Sequence, residues 1–254
     1  MCETRLPWVG MSSPVNPAHA AGARTIALVG IDGSGKTTQA RLLAAGLSAA
    51  GLPAAYRQNA GGRAWFGRLA AGFGRRDAEE LLGRRSMLLL ESLLRWLAIA
   101  RTLLHRAARR EIAVMDRYAA CQYASLRAHG AGPAAERRAR LAYRLFPRPD
   151  VTFFMAVDPE VAQERIVRRG TDHESLDYLA AADRAYRSLP EFAEFVVIDA
   201  NGSPDEVHAA IDAALARPTA LPGRRRLRMR TLLLAGVPVV AGAAVLGWQL
   251  AESF

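Results

Sequence analysis

Apolar residues along this chain fall into short unbroken runs, separated by longer stretches in which they recur every three or four positions. The runs occupy residues 25–30, 54–58, 111–115, 151–157 and 195–198. They are rich in Val, Ile, Ala and Phe and end at Gly, Asp or Pro. Runs of that length without polar alternation predict strands buried on both faces, as in a parallel sheet. The periodic stretches predict helices over 36–50, stopped by Gly51 and Pro53, and over 77–108. Two more are predicted over 159–169, with Pro159 in the first turn, and over 204–216, after a turn at Asn201-Gly202. The 77–108 segment carries apolar residues on more than one face, so it is expected to be largely buried. Residues 60–62 read as a turn. Strands alternating with helices predict an α/β fold in three layers, a five-stranded parallel sheet flanked by helices.

The two ends differ from this body. Residues 1–22 are rich in Pro, Ala and Ser, lack the apolar core of a signal peptide, and read as a disordered lead-in in which Met11 is an alternative start. The folded unit is expected over 23–217, followed by a basic linker over 218–230. Residues 231–251 contain no charged side chain, and about 20 apolar residues suffice to cross a bilayer. Arg224, Arg225, Arg226, Arg228 and Arg230 stand immediately before them. That pattern predicts a C-terminal transmembrane helix, a tail anchor that holds the folded unit on the cytoplasmic face of a membrane. The other reading is a buried or interfacial helix, which Pro238 and several glycines disfavour.

The formal charge of +10 suits anionic partners: nucleotides, lipids or nucleic acid. The charge concentrates in the 224–230 cluster, which a membrane explains better than a nucleic acid does, so no nucleic-acid role is expected. Almost every basic residue is Arg, as a biased genomic base composition would produce, and Lys36 is the only lysine. Cys2 and Cys121 fit neither a zinc pattern nor a disulfide framework, and a reducing compartment is the simple inference. His105, His129, His173 and His208 share no metal-ligand spacing.

The lone lysine sits where chemistry needs one. Gly30-Ile31-Asp32-Gly33-Ser34-Gly35-Lys36-Thr37 has the spacing of a P-loop, follows a predicted strand and opens a predicted helix. Glycines let the backbone curl so that successive N–H groups point at phosphate oxygens, and the helix N-terminus adds a field that favours anions. Lys36 would bridge the β- and γ-phosphates of ATP, and the Thr37 hydroxyl would ligate Mg2+.

The loop together with Thr38 and Gln39 resembles the thymidylate kinase family. So do Asp116-Arg117-Tyr118 after the third strand, and Val157-Asp158-Pro159-Glu160-Val161-Ala162 with Glu164-Arg165 and Arg168-Arg169-Gly170 downstream. The resemblance spans about residues 24–216. It implies a P-loop kinase fold and transfer of a phosphoryl group from ATP to a nucleoside monophosphate, dTMP first among them, with Mg2+. Family members are usually dimers that pack through helices beside the sheet. Carried over by position, Asp32 would help hold the acceptor's sugar hydroxyl, and Asp116 would organise Mg2+ or its waters. Arg117 would contact the acceptor phosphate, and Arg95 would face the base and that phosphate. Arg168 and Arg169 open a lid that closes over ATP, and one or both would stabilise the transferring group.

The acceptor side departs from the family. Gln58-Asn59-Ala60-Gly61-Gly62 replaces an Arg-Glu-Pro-Gly-Gly segment, with Arg57 or Arg63 as candidate substitutes. Cys121 and Ser125 stand where the family has Ser and the first residue of a Tyr-Gln pair. Leu90-Glu91-Ser92-Leu93-Leu94 lacks the residues that line the thymine site and the acid adjacent to the arginine. Tyr123 is either core or a base-stacking residue. The lid is short, from Gly170 through Thr171, Asp172 and His173 to Glu174. A kinase of another acceptor such as a nucleoside, and a nucleotide-binding scaffold without transfer activity, are the alternatives these departures leave.

Overall fold

The structure, a computed structural model, describes residues 23–61, 83–170 and 174–216. The lead-in, Arg63, the middle of the lid, the basic linker and the expected transmembrane segment all lie outside the described residues. Among the described residues no helix is long and apolar enough to cross a membrane.

Five parallel strands form one sheet in the order β2-β3-β1-β4-β5. They are β1 (Thr25–Val29), β2 (Ala54–Gln58), β3 (Ile112–Asp116), β4 (Val151–Ala156) and β5 (Val196–Asp199). The unbroken apolar runs are explained by position. β1 lies between β3 and β4 with Leu28 opposite Asp116 and Phe153, and all five of its residues are buried. All of β3 is buried as well. A strand covered by helices on both faces has no solvent side on which to place polar residues. Phe153 and Phe154 on β4 are fully buried, and each such ring removed from water stabilises the fold by about 2–3 kcal/mol. Asp150 ties the sheet's lower edge by accepting the backbone N–H groups of Arg24 and Thr25 at 2.7 and 2.8 Å.

The helices are α1 (Lys36–Ala49), α2 (Arg84–Arg109), α3 (Ala119–Ala128), α4 (Pro133–Tyr143), α5 (Pro159–Arg169), α6 (Leu176–Arg187) and α7 (Pro204–Leu215). A capping box, in which Ser203 and Glu206 satisfy each other's backbone N–H groups, starts α7. Gly170 with φ of 68° ends α5.

Two expectations change here. The second helix buries one face, through Met87, Leu88, Trp96, Ile99 and Leu103, while Leu97 and Leu104 are 42% and 55% exposed. It is therefore a half-buried layer rather than an enclosed helix. Helices α3, α4 and α6 have no counterpart in the sequence reading. In α3 every residue from Ala120 to Leu126 is buried, so it shows no amphipathic period to detect. The short α4 is held by charge: Arg127 on α3 grips Glu136 at 2.7 and 2.8 Å, and Arg140 joins Glu136 to Glu191.

Candidate active site

The P-loop runs from the end of the central strand β1 into α1, at the carboxyl ends of the strands, where strand order diverges and anionic ligands gather in such folds. Two of its glycines take a positive φ that other residues avoid. Gly33 has φ of 83°, and a Cβ placed on it would stand 2.3 Å from the Ala162 carbonyl of α5. Gly35, also at 83°, is the residue before the first turn of α1, which has no side-chain cap. The first N–H groups of that helix thus remain available to a phosphate.

Lys36 lies under this loop, 4% exposed. Its Nζ donates to the Ile31 carbonyl and to Ser34 Oγ at 3.2 Å, and stands 3.6 Å from Asp32 Oδ1. Burial lowers the pKa of the ammonium, and Asp32 opposes that shift. Asp32 in turn receives the Arg117 guanidinium. Burial alone would raise its carboxyl, but Arg117 and Lys36 outweigh burial and hold it well below the usual carboxylate range. Asp32, Lys36 and Arg117 are therefore one alternating charge cluster, and Asp32 keeps the two cations apart and in place.

Asp116 ends β3 beside α1. Its Oδ2 accepts the Thr37 hydroxyl at 2.5 Å and the Tyr56 phenol at 3.3 Å. Burial and the Asp116 charge push the Tyr56 phenol up, so it remains a donor. The other oxygen, Oδ1, is buried without a hydrogen-bond partner. An orphaned carboxylate oxygen beside a P-loop hydroxyl is a hard-oxygen donor set of the kind Mg2+ takes. Thr37 and Asp116 fit the metal that the resemblance implies. Among the described residues no group of three or more His, Cys, Asp or Glu could hold a metal ion.

Across from the loop, Arg95 of α2 is 3% exposed. Its guanidinium donates to Glu91 at 2.6 Å and to Gln122 Oε1 at 3.2 Å, and its Nε has no partner. Gly61 packs over the pair: a Cβ there would stand 2.3 Å from the Glu91 side chain. The missing acidic neighbour is thus supplied one turn earlier, by Glu91. Gln122 Nε2 and Ser125 Oγ on α3 are also buried and unpartnered. Buried polar atoms without partners are costly, and those of Arg95, Gln122 and Ser125 leave donors and acceptors that a polar ligand could satisfy.

Arg57 takes no part. It pairs with Glu111 on the opposite side of β2 from Tyr56, so it does not replace the lost arginine of the family's turn. Tyr123 is core: its ring meets Tyr143 edge-on at 5.9 Å and carries Arg140 over its face at 4.4 Å. Cys121 is a buried free thiol. Arg168 and Arg169 stand exposed in the last turn of α5, where the chain enters residues 171–173, which are outside the described residues. Arg165, one turn earlier, donates to the carbonyls of Ala200, Asn201 and Gly202 at 2.7, 2.8 and 2.9 Å and so fixes the turn after β5.

Sequence reasoning missed Tyr56, Glu91 and Gln122 as site residues. Glu91 alone left a signal, lying four residues before Arg95 on one helix face. The other two are brought in by strand and helix packing.

Comparison with known proteins agrees with this geometry. The family model described as thymidylate kinase matches residues 28–211. A thymidylate kinase of Xanthomonas euvesicatoria pv. vesicatoria is 34% identical over 204 residues, covering 77% of this chain and 86% of that protein. One from Xanthomonas campestris pv. campestris is 33% identical over 210 residues with the same coverage. A probable thymidylate kinase of Methanosarcina acetivorans is 36% identical over a shorter stretch of 67 residues, 25% of this chain and 32% of that protein.

Proposed function

This chain belongs to the thymidylate kinase family, and from that membership and the site's geometry we propose that it transfers the γ-phosphoryl group of ATP to dTMP, giving dTDP and ADP. The observation that carries the reading is the pairing of a P-loop, on one side, with half-buried Arg117 and buried Arg95 on the other. A donor polyphosphate and an acceptor phosphate thereby face each other across Asp32.

In the reaction an oxygen of the acceptor monophosphate forms a bond to the γ-phosphorus as the bond from that phosphorus to the β-phosphate bridging oxygen breaks. The P-loop N–H groups and Lys36 hold the donor phosphates and take up charge that builds on the leaving side. Arg117 and Arg95 bring in the acceptor and keep its phosphate close to the donor despite their shared negative charge. Bound Mg2+, held by Thr37 and Asp116, would neutralise charge on the β- and γ-oxygens. Arg168, Arg169 or both would arrive with the short lid, and closure would exclude water as a competing acceptor. On the acceptor side, Gln122 and Ser125 offer polar groups in place of the family residues that are absent.

Turnover of ATP with a panel of nucleoside monophosphates and nucleosides tests this reading. The expected result is ADP formation with dTMP well above any nucleoside. Phosphorylation of a nucleoside and not of dTMP would move the chain to another acceptor class. ATP binding with no acceptor turned over would leave a scaffold.

Two further features belong to the same reading. The charge-free segment 231–251 behind five arginines supports a tail anchor, with the kinase domain on the cytoplasmic face. The exposed Leu97 and Leu104, seven residues apart on one face of α2, support a homodimer packed through that helix. Removing residues 231–254 is expected to release an active enzyme from the membrane fraction, with a mass by light scattering twice that of one chain. Truncated protein that still sediments with membranes would refute the anchor, and a monomer mass would refute the pairing.

A further inference from the structure

The residue that joins β3 to α3 is Arg117, and it is bent into a conformation that its type avoids. Its φ is 77°, in the left-handed region, where a Cβ crowds the backbone. Such strain persists only where the surroundings over-determine it. Here four contacts do so. The Arg117 N–H donates to the Leu28 carbonyl at 3.0 Å, so the residue still belongs to the sheet. On its far side Tyr118 is fixed by a hydrogen bond from its hydroxyl to the Pro147 carbonyl at 2.6 Å. The other two come from Asn59, just past the end of β2 and fully buried. Its backbone N–H donates to the Asp116 carbonyl at 3.0 Å, and its Nδ2 donates to the Arg117 carbonyl at 2.9 Å.

The Asn59 amide is itself held. Its Oδ1 accepts the hydroxyl of Thr102 at 2.9 Å, and Thr102 is 1% exposed on α2, two turns beyond Arg95. With the oxygen committed to Thr102, the nitrogen must face Arg117. A peptide carbonyl turned by the left-handed bend would otherwise be buried without a donor. The bend directs the Arg117 guanidinium back across the P-loop to Asp32.

We propose that Asn59 and Thr102 are positioning residues for phosphoryl transfer, which hold Arg117 in its left-handed conformation and so aim its guanidinium at the acceptor phosphate. The inference rests on the kinase reading for its functional consequence, but not for its structural one. It also gives the altered turn after β2 a purpose. The segment has lost the arginine and carboxylate that the family places there, and Asn59 uses the carboxylate's position to brace the arginine that remains.

Asn59→Leu removes both side-chain amide contacts while keeping the branching of the side chain. Thr102→Val removes only the hydroxyl, and Thr102→Ser keeps it. Crystal structures and steady-state kinetics of the full chain test the three together. In Asn59→Leu, Arg117 is expected to leave the left-handed region and its pairing with Asp32. The kcat/KM for dTMP should fall about 100-fold, as misplacement of a reacting group by about 1 Å typically does. ATP affinity, read by a fluorescent analogue, should fall far less than that, because Lys36 keeps its own contacts to Ile31 and Ser34 when Arg117 leaves Asp32. Thr102→Val, which exchanges the hydroxyl for a methyl, should lose about 10-fold in the same constant, and Thr102→Ser, which keeps the hydroxyl and loses the methyl, should not. Arg117 retaining its φ and its contact with Asp32 in Asn59→Leu would overturn the proposal, whatever the kinetics. Equal activity of Thr102→Val and Thr102→Ser would remove Thr102 from it. If the wild-type chain turns over no monophosphate, the kinase reading falls, and the crystal structures still decide whether Asn59 sets Arg117. Should Asn59→Leu fail to fold, Thr102→Val supplies the same structural readout.

Discussion

Replacing Lys36 with Ala is expected to lower kcat for dTMP phosphorylation by about 10³-fold, a loss of about 4 kcal/mol of transition-state stabilisation. The ammonium is the only lysine in the chain and lies beneath the loop, within reach of where the donor phosphates bind. Charge moves onto the leaving oxygens as the phosphoryl group departs, and a fixed cation at that point acts mainly on the transition state. The loss should therefore appear in kcat more than in the KM for dTMP. Arginine is a poor substitute, because its fork is larger than the space under the loop and it donates along different directions. The fold should survive, since β1 and α1 are held by their own ladders and by the packing of Leu43 and Leu47. Steady-state kinetics alongside thermal unfolding checks both halves. Turnover within tenfold of wild type would remove the lysine from the chemistry.

Asp116→Asn should be nearly as damaging, with kcat reduced about 100-fold and half-saturating Mg2+ raised at least about tenfold. The amide can still accept the Thr37 hydroxyl but carries no charge for the metal. Stability should move the other way. Asp116 is 1% exposed, and one of its oxygens has no partner. Removing a buried charge with one oxygen unpartnered from the metal-free enzyme should leave Tm unchanged or raise it by about 2–4 °C. A site arranged for a ligand is a local destabilisation, and relieving it costs function. Activity titrated against Mg2+, with melting curves in EDTA, measures the two effects separately. An unaltered Mg2+ requirement would show that Asp116 does not serve the metal.

The acceptor half of the site shows how far a residue's role depends on its neighbours. Arg95 in an arginine-rich helix has only Glu91, one turn before it, to distinguish it in its own sequence context from Arg101 or Arg109. Burial against Glu91 and Gln122 distinguishes it. Arg57 carries the same charge and sits beside the altered turn, but the alternation of the strand sends it to the other face, where Glu111 neutralises it. Arg165 looked like one more arginine of the α5 motif, and it is a clamp on the turn after β5.

By itself the sequence determined the parallel sheet, the P-loop, the placement of Lys36 and Thr37 at the start of α1 and that of Asp116 at the end of β3. Those features are written in local terms: unbroken apolar runs, glycines where φ must be positive, a lysine and hydroxyl at fixed spacing. It also determined the charge-free segment behind an arginine cluster at the C-terminus, since composition alone carries that signal. Only the tertiary structure decided which of many arginines enter the site, that Asp32 binds Arg117 and Lys36 together, and that Asn59, Tyr56 and Gln122 stand beside them. Apart from the one between Asp32 and Lys36, those contacts join residues 27 to 85 positions apart. Periodicity reports which face of an element is buried, and it carries no information about which distant polar group that face will meet.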